Sequence, residues 1–375
     1  MTTALRVILD DVGGQTRTPL AWYGEEITRA LIQTAPDEIG VSAFTAAISS
    51  EREARIHELF PGLLDLEHAM LPAREMREAW LHSLTTFPLP GLVHSTSLFA
   101  PLRARIDDDS GQMVVTVHGA AAVSDRSTAK DRWFEKAIKR AWKHADGIVV
   151  PTYAVANELG EMFDFRGRIR VIAGGVADSL ALPDNADERA RLMTLPERFA
   201  VVMTQQSTQS TGQDLVKLLA DAAMPDIPIV VVGPVAWDDE TLSAMAVKAG
   251  IPPARYWPVG ELDDADLAVV LSRASALVHI SRNDAFALPV LAAFKLECPV
   301  VHIATPSLDE VSNGAAISVS PSPDGDLSRP IAEGLRRVLE ESGLAEELVA
   351  LGSDRVRLYD WRMAAEQIWQ FHADL

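Results

Sequence analysis

The residues from Glu261 to Val311 constrain the chain most. An apolar-periodic helix follows Asp264-Ala265-Asp266-Leu267 and ends near Ala274, a strand-like run covers Ala276 to Ile280, and Pro299-Val300-Val301-His302-Ile303 reads as a second buried strand. Between the strands lies Ser281-Arg282-Asn283-Asp284-Ala285-Phe286-Ala287-Leu288-Pro289-Val290-Leu291-Ala292. Pro289 falls in the first turn of a helix, where its missing N–H costs nothing. The pattern is a βαβ unit with a loop at the carboxyl end of its first strand. Parallel sheets bind phosphate-bearing ligands at such loops, because the next helix opens with free N–H groups and a favourable dipole.

A chain of 375 residues suits two domains of ordinary size, and its apolar content is high enough for two cores. The single cysteine, Cys298, excludes an intramolecular disulfide and a cysteine-based metal cage, and its place before Pro299 predicts burial. The formal net charge of −19, most of it after residue 170, argues against nucleic acid or an anionic membrane as a strong partner. The chain opens directly on an apolar strand, with no signal-peptide pattern and no run long enough to span a membrane, so the cytoplasm is the expected location.

In chain order, a strand at Leu5 to Leu9 leads through Gly13-Gly14 into a helix from Pro19 to Gln33. A second strand at Val41 to Ile48 and a charged helix from Glu51 to Phe60 follow, whereas Leu63 to Leu81 gives no clear pattern. Leu92 to Ser95 and Met113 to Val117 read as strands, the latter ending in His118 at its carboxyl edge. The helix expected over Thr128 to Ala145 carries Lys130, Arg132, Lys136, Lys139, Arg140 and Lys143, interleaved with Asp131 and Glu135, as on a solvated face. The polar, Pro-containing segment from Ala177 to Glu197 suits a linker. Beyond it the strand at Phe199 to Met203 and the run Ile227 to Val232 begin a second βα series.

The 284–301 stretch resembles the donor-site signature of glycosyltransferase family 4, E-G-F-G-L-P-V-L-E-A followed by a glycine and P-V-V. Phe286, Leu288, Pro289, Val290, Leu291, Ala293, Pro299, Val300 and Val301 match. The family's first Glu falls on Asp284, its second on Ala292, its loop glycines on Ala285 and Ala287, and its helix-ending glycine on Glu297. Further matches are His94 through Leu102, His118 of the family's T-x-H-D with Gly119 in place of the acid, Gly147 to Thr152, and Gly212 and Asp214 of R-K-G-x-D. Thr211 stands where that motif has lysine, within a loop expected over 204 to 212.

The resemblance implies an α/β, GT-B chain: two Rossmann-like domains facing across a cleft, with a C-terminal helix crossing back. The implied divisions are an acceptor-side domain over 1–175, a linker over 176–198, a nucleotide-sugar domain over 199–358 and a returning helix over 359–375. It implies a retaining, metal-independent transfer of a hexose, with mannose from GDP-mannose the favoured case, to a carbohydrate or lipid-linked acceptor. The expected catalytic residues are His118 and Asp284; the expected donor-binding residues are Gly13, Gly14, Gln206, Thr211, Gly212, Ala285, Phe286, Ala287 and Leu288. No cofactor or metal is expected besides the donor substrate, and peripheral contact with a membrane stays open. The thinned acidic and basic positions carry the alternative reading of a weak or inactive relative that binds a sugar, a nucleotide or a protein.

Overall fold

A computed structural model of the chain describes residues 3–14, 17–84, 89–104, 111–119, 129–204, 209–233, 239–282 and 284–375. Two compact units divide it, one formed by Met1–Gly174 with Asp360–Leu375 and the other by Gly175–Tyr359.

Unit 1 alternates strands and helices: β1 (Thr3–Ile8), α1 (Pro19–Gln33), β2 (Ile39–Thr45), α2 (Ser50–Leu59), β3 (Leu66–His68), α3 (Ala73–Leu81), β4 (Leu92–Ser95), β5 (Gln112–Thr116), α4 (Ala129–His144), β6 (Gly147–Val150), α5 (Tyr153–Met162) and β7 (Ile169–Val171). All seven strands are parallel, in the order β3-β2-β1-β4-β5-β6-β7. The order reverses direction between β1 and β4, and loops leaving the carboxyl ends of strands at such a switch diverge to opposite faces and open a crevice. Helix α1 forms where predicted, because Thr18 accepts the Ala21 N–H at its start and Pro19 fixes the first turn. Its buried face includes Ala21, Tyr23, Ile27, Ala30 and Leu31.

Unit 2 repeats the plan with α6 (Ala186–Leu192), β8 (Ala200–Met203), α7 (Gln209–Ala220), β9 (Ile229–Val232), α8 (Asp239–Lys248), β10 (Tyr256–Gly260), α9 (Asp264–Arg273), β11 (Ala276–His279), α10 (Leu288–Lys295), β12 (Val300–Ile303), α11 (Pro306–Ser312), β13 (Ile317–Val319), α12 (Ser328–Glu340) and α13 (Leu344–Val356). Its six-stranded parallel sheet runs β10-β9-β8-β11-β12-β13, so the switch falls between β8 and β11. Every residue from Leu288 to Phe294 of α10 is buried, which is why that helix shows no polar face in the sequence. Where the sequence suggested a linker, residues 186–192 form α6, which packs on α9: Ala186 and Ala190 meet Val269, and Arg189 reaches Asp266 at 2.6 Å.

The last helix, α14 (Trp361–Asp374), belongs to unit 1 and packs on α1. Two glycines let it approach. A Cβ on Gly147 would lie 2.6 Å from the Phe371 ring, and one on Gly174 would lie 2.7 Å from Trp361 Cη2. Among the described residues no helix is long and apolar enough to cross a membrane.

Candidate functional site

In unit 2 the site is built on the loop from β11 to α10, at the switch point. Asp284 folds back over its own turn. Its Oδ1 accepts the Ala287 N–H at 2.8 Å, and its Oδ2 lies 3.0 Å from His279 Nε2, at the end of β11. Both side chains are buried, 1% exposed for His279 and 7% for Asp284, and the two facing atoms are out of angular alignment for a hydrogen bond. Ala287 stands in the left-handed region with φ 51° and ψ 33° and caps α10. The family glycine at that position is thereby explained: only glycine takes this conformation without steric cost. Ala285, Phe286 and Leu288 are buried beside it. Ala292, at the position of the family's second Glu, is fully buried.

The neighbouring loop, after β8, is shorter than expected. Gln206 lies outside the described residues, while Thr211 and Gly212, predicted in a loop, fall in the first turn of α7. The correction has a local cause: Gly212 interrupts a segment whose remaining residues carry an apolar helical face, with Leu215, Leu218 and Leu219 buried, and packing outweighs the glycine's helix penalty. Sequence reasoning passed over Arg282. Its half-exposed guanidinium lies 3.9 Å from Asp214 of α7, so a cation stands on the β11 side of the switch although the β8 side has none before Lys217. A search for basic residues confined to the family's R-K-G motif does not reach it.

In unit 1, Gly13 adopts φ 70°, and a Cβ there would meet Ile56 Cγ1 at 2.9 Å. The turn's carbonyls are held by α2: Arg52 Nε donates to Val12 O at 2.8 Å and Arg55 Nη1 to Gly14 O at 2.8 Å. At the end of β1 the buried Asp10 accepts from Arg77 at 2.6 Å and from Ser97 Oγ at 2.9 Å. His118, just beyond β5, is half-buried; its Nε2 donates to Thr96 O at 2.6 Å, which fixes the tautomer, and its ring meets Tyr23 edge-on at 4.8 Å. His94 plays another part. Fully buried on β4, it contacts Thr116 Oγ1 at 3.2 Å and packs against His372 of α14, and burial pulls its pKa well below the usual histidine value. A recess between α3 and α4 is lined by Arg77, Trp80, Phe99, Trp133, Ala137 and Arg140. Trp80 Nε1, Trp133 Nε1 and Arg140 Nε are buried there without an acceptor among the described residues.

Gly13 and Gly14 thus sit at the β1 side of one switch and residues 284–288 at the β11 side of the other, while His118 lies one strand further along its sheet, after β5. Among the described residues no group of three or more His, Cys, Asp or Glu side chains is arranged to hold a metal ion.

Comparison with known proteins follows the same division. Residues 23–180 match the model of Glycosyltransferase Family 4 and residues 188–352 the model of Glycosyl transferases group 1. A D-inositol 3-phosphate glycosyltransferase of Nocardioides sp. is 27% identical over 281 residues, 68% of this chain and 60% of that protein. The serotype-specific mannosyltransferase WbdA of Escherichia coli is 23% identical over 192 residues, 50% of this chain and 22% of WbdA. The chain therefore spans less than two thirds of the first relative and less than a quarter of the second. Among solved structures, sucrose-phosphate synthase from Thermosynechococcus elongatus superposes with a TM-score of 0.75 at 17% identity, covering 99% of this chain and 98% of that one. Anabaena HepE, solved with UDP, gives 0.72 at 13% identity with full coverage of both chains. The fold is the GT-B type, built of two Rossmann-like domains. With one family model matched to each half in order, and both sheets built on the same switch-point plan, the chain belongs to the group 1 glycosyltransferases.

Proposed function

We propose that the chain is a retaining glycosyltransferase that moves a hexose, with mannose from GDP-mannose as the first case to test, from a nucleotide sugar to a carbohydrate or lipid-linked acceptor. The observation that carries this reading is the left-handed turn at Ala287, which opens a fully buried helix at the switch point of a parallel sheet. Free N–H groups there suit a diphosphate. In this reading the 285–288 backbone cradles the donor diphosphate, and Gln206, Thr211 and Gly212 meet the leaving phosphate. Arg282 supplies the positive charge that the family draws from its lysine. The electrostatic term this restores is usually the largest in such a transfer. Gly13 and Gly14 give the close turn on the acceptor side, and His118, oriented by Thr96, contacts the transferred sugar. Asp284 acts through the turn it caps. The mannosyltransferase relative supports mannose, and a neighbour solved with UDP-glucose makes that donor the alternative.

The test is nucleotide release on incubation of the whole chain with GDP-mannose and with UDP-glucose. Release that His118→Ala abolishes is the expected result. A second reading, a binding module without turnover, draws on Asp284 being turned away into its loop and on the burial of Ala292. Calorimetric binding of GDP or UDP with no release from either sugar nucleotide selects it. Neither binding nor release for any nucleotide rejects both.

A further inference from the structure

We infer that His279 is a positioning residue of the donor loop: together with Asp284 it holds the left-handed turn at Ala287 that opens the N-terminus of α10. Strand β11 reads Ala276-Leu277-Val278-His279 and is buried along its whole length. A buried polar atom with no partner destabilises the fold, so an imidazole in that setting favours a close polar neighbour, and its Nδ1 finds none among the described residues. The group it meets is Asp284 Oδ2 at 3.0 Å, and neither atom has a hydrogen-bond partner among the described residues. The same carboxyl uses its other oxygen to accept the Ala287 N–H at 2.8 Å.

The wall behind His279 is rigid. His279 pairs in register with His302 on β12, and His302 is locked by contacts from Nδ1 to Ile303 O and from Nε2 to Ser312 Oγ, each 2.9 Å. The imidazole therefore fixes the far side of the Asp284 carboxyl, and the near side fixes Ala287. An alanine at φ 51° carries a steric cost that such a clamp offsets, whereas a glycine takes that turn without it. The pair replaces with two side chains what a glycine supplies through its backbone, and it engages a carboxyl that would otherwise be available to the donor sugar.

The experiment has two arms on the full-length chain. Hydrogen exchange of the Ala287 amide tests the clamp itself, and calorimetric titration with GDP and UDP tests its effect on the donor site, the arm that rests on the proposed function. His279→Leu is expected to speed exchange at Ala287, and to weaken nucleotide affinity, by about tenfold each. His279→Gln, which keeps a polar N–H group in the space facing Asp284 Oδ2, is expected to restore both to within about threefold. Adding Ala287→Gly to His279→Leu is expected to recover the affinity, a result that general loss of stability does not give. Should His279→Leu fail to fold, Asp284→Ala is expected to produce the same faster exchange. Unchanged exchange at Ala287 in a folded His279→Leu or Asp284→Ala chain overturns the inference. Faster exchange in a chain whose wild type binds neither nucleotide upholds the clamp and overturns the donor reading.

Discussion

Glu297→Gly is expected to stabilise unit 2 although it deletes a side chain and inserts a glycine. Helix α10 ends in a Schellman motif: the Cys298 N–H bonds to Ala293 O at 2.9 Å and the Glu297 N–H to Phe294 O at 3.3 Å, with Leu296 as C-cap. Glu297 occupies the left-handed position at φ 57°. Its side chain is exposed and makes no hydrogen bond or ion pair with a described residue, so little is lost with it. Relief of the left-handed conformation is worth about 1–2 kcal/mol, and the added freedom of an unfolded glycine costs about 0.5–1 kcal/mol. The balance is a gain of roughly 0.5–1 kcal/mol, or about 1–4 °C in the melting temperature of a unit this size. Ala287→Gly is the control. It has the same backbone geometry, but a methyl with no exposed surface is also lost, which costs about 0.8 kcal/mol and brings the net effect close to zero. Differential scanning calorimetry of both variants separates the two outcomes. A melting temperature for Glu297→Gly at or below wild type refutes the assignment of conformational cost to residue 297.

Acid is expected to release α14 from unit 1. Burial depresses the His372 pKa from 6.5 to about 4, so between those values the unfolded chain binds more protons; stability is full above pH 6.5 and falls by up to about 3 kcal/mol on approach to pH 4. Tryptophan fluorescence during acid titration reads this, and His372→Phe should flatten the acid limb. Arg282→Ala is expected to weaken GDP or UDP binding about tenfold and to reduce its salt dependence; unchanged titrations at low and high salt refute its role. Cys298 is buried and its thiol is pushed up to about 12, so a thiol reagent should label the chain only on unfolding of unit 2; rapid labelling of the native chain counts against the packing described for the end of α10.

Much of the architecture was legible in the sequence, because the strands of both sheets are short apolar runs and helices such as α1 carry a Thr–Pro start. The regions that escaped share a physical reason. Helix α3 begins at Pro72 with no side-chain cap and buries only Met76, Ala79, Trp80 and Leu81, so its sequence reads as a solvated mixture of charges. Helix α6 is seven residues long and is held by ion pairs to α9 rather than by a broad apolar face. The positions where glycine is usual were legible as departures, and the positive φ at Ala287 and Glu297 gives them meaning. The His279–Asp284 contact was not legible. A histidine in an apolar strand and an aspartate five residues on become partners only through the path of the intervening turn, and no periodicity encodes that path.

The return of α14 makes unit 1 a discontinuous body: residues 360–375 complete it only after the whole of Gly175–Tyr359 has intervened. During synthesis at about 5–20 residues per second, that interval lasts on the order of ten to forty seconds. For that time Tyr23, Gly147 and Gly174 present to the ribosome-bound environment a surface shaped for Trp361 and Phe371. The nascent first unit, with that surface uncovered, is the part of the chain that a chaperone has reason to hold.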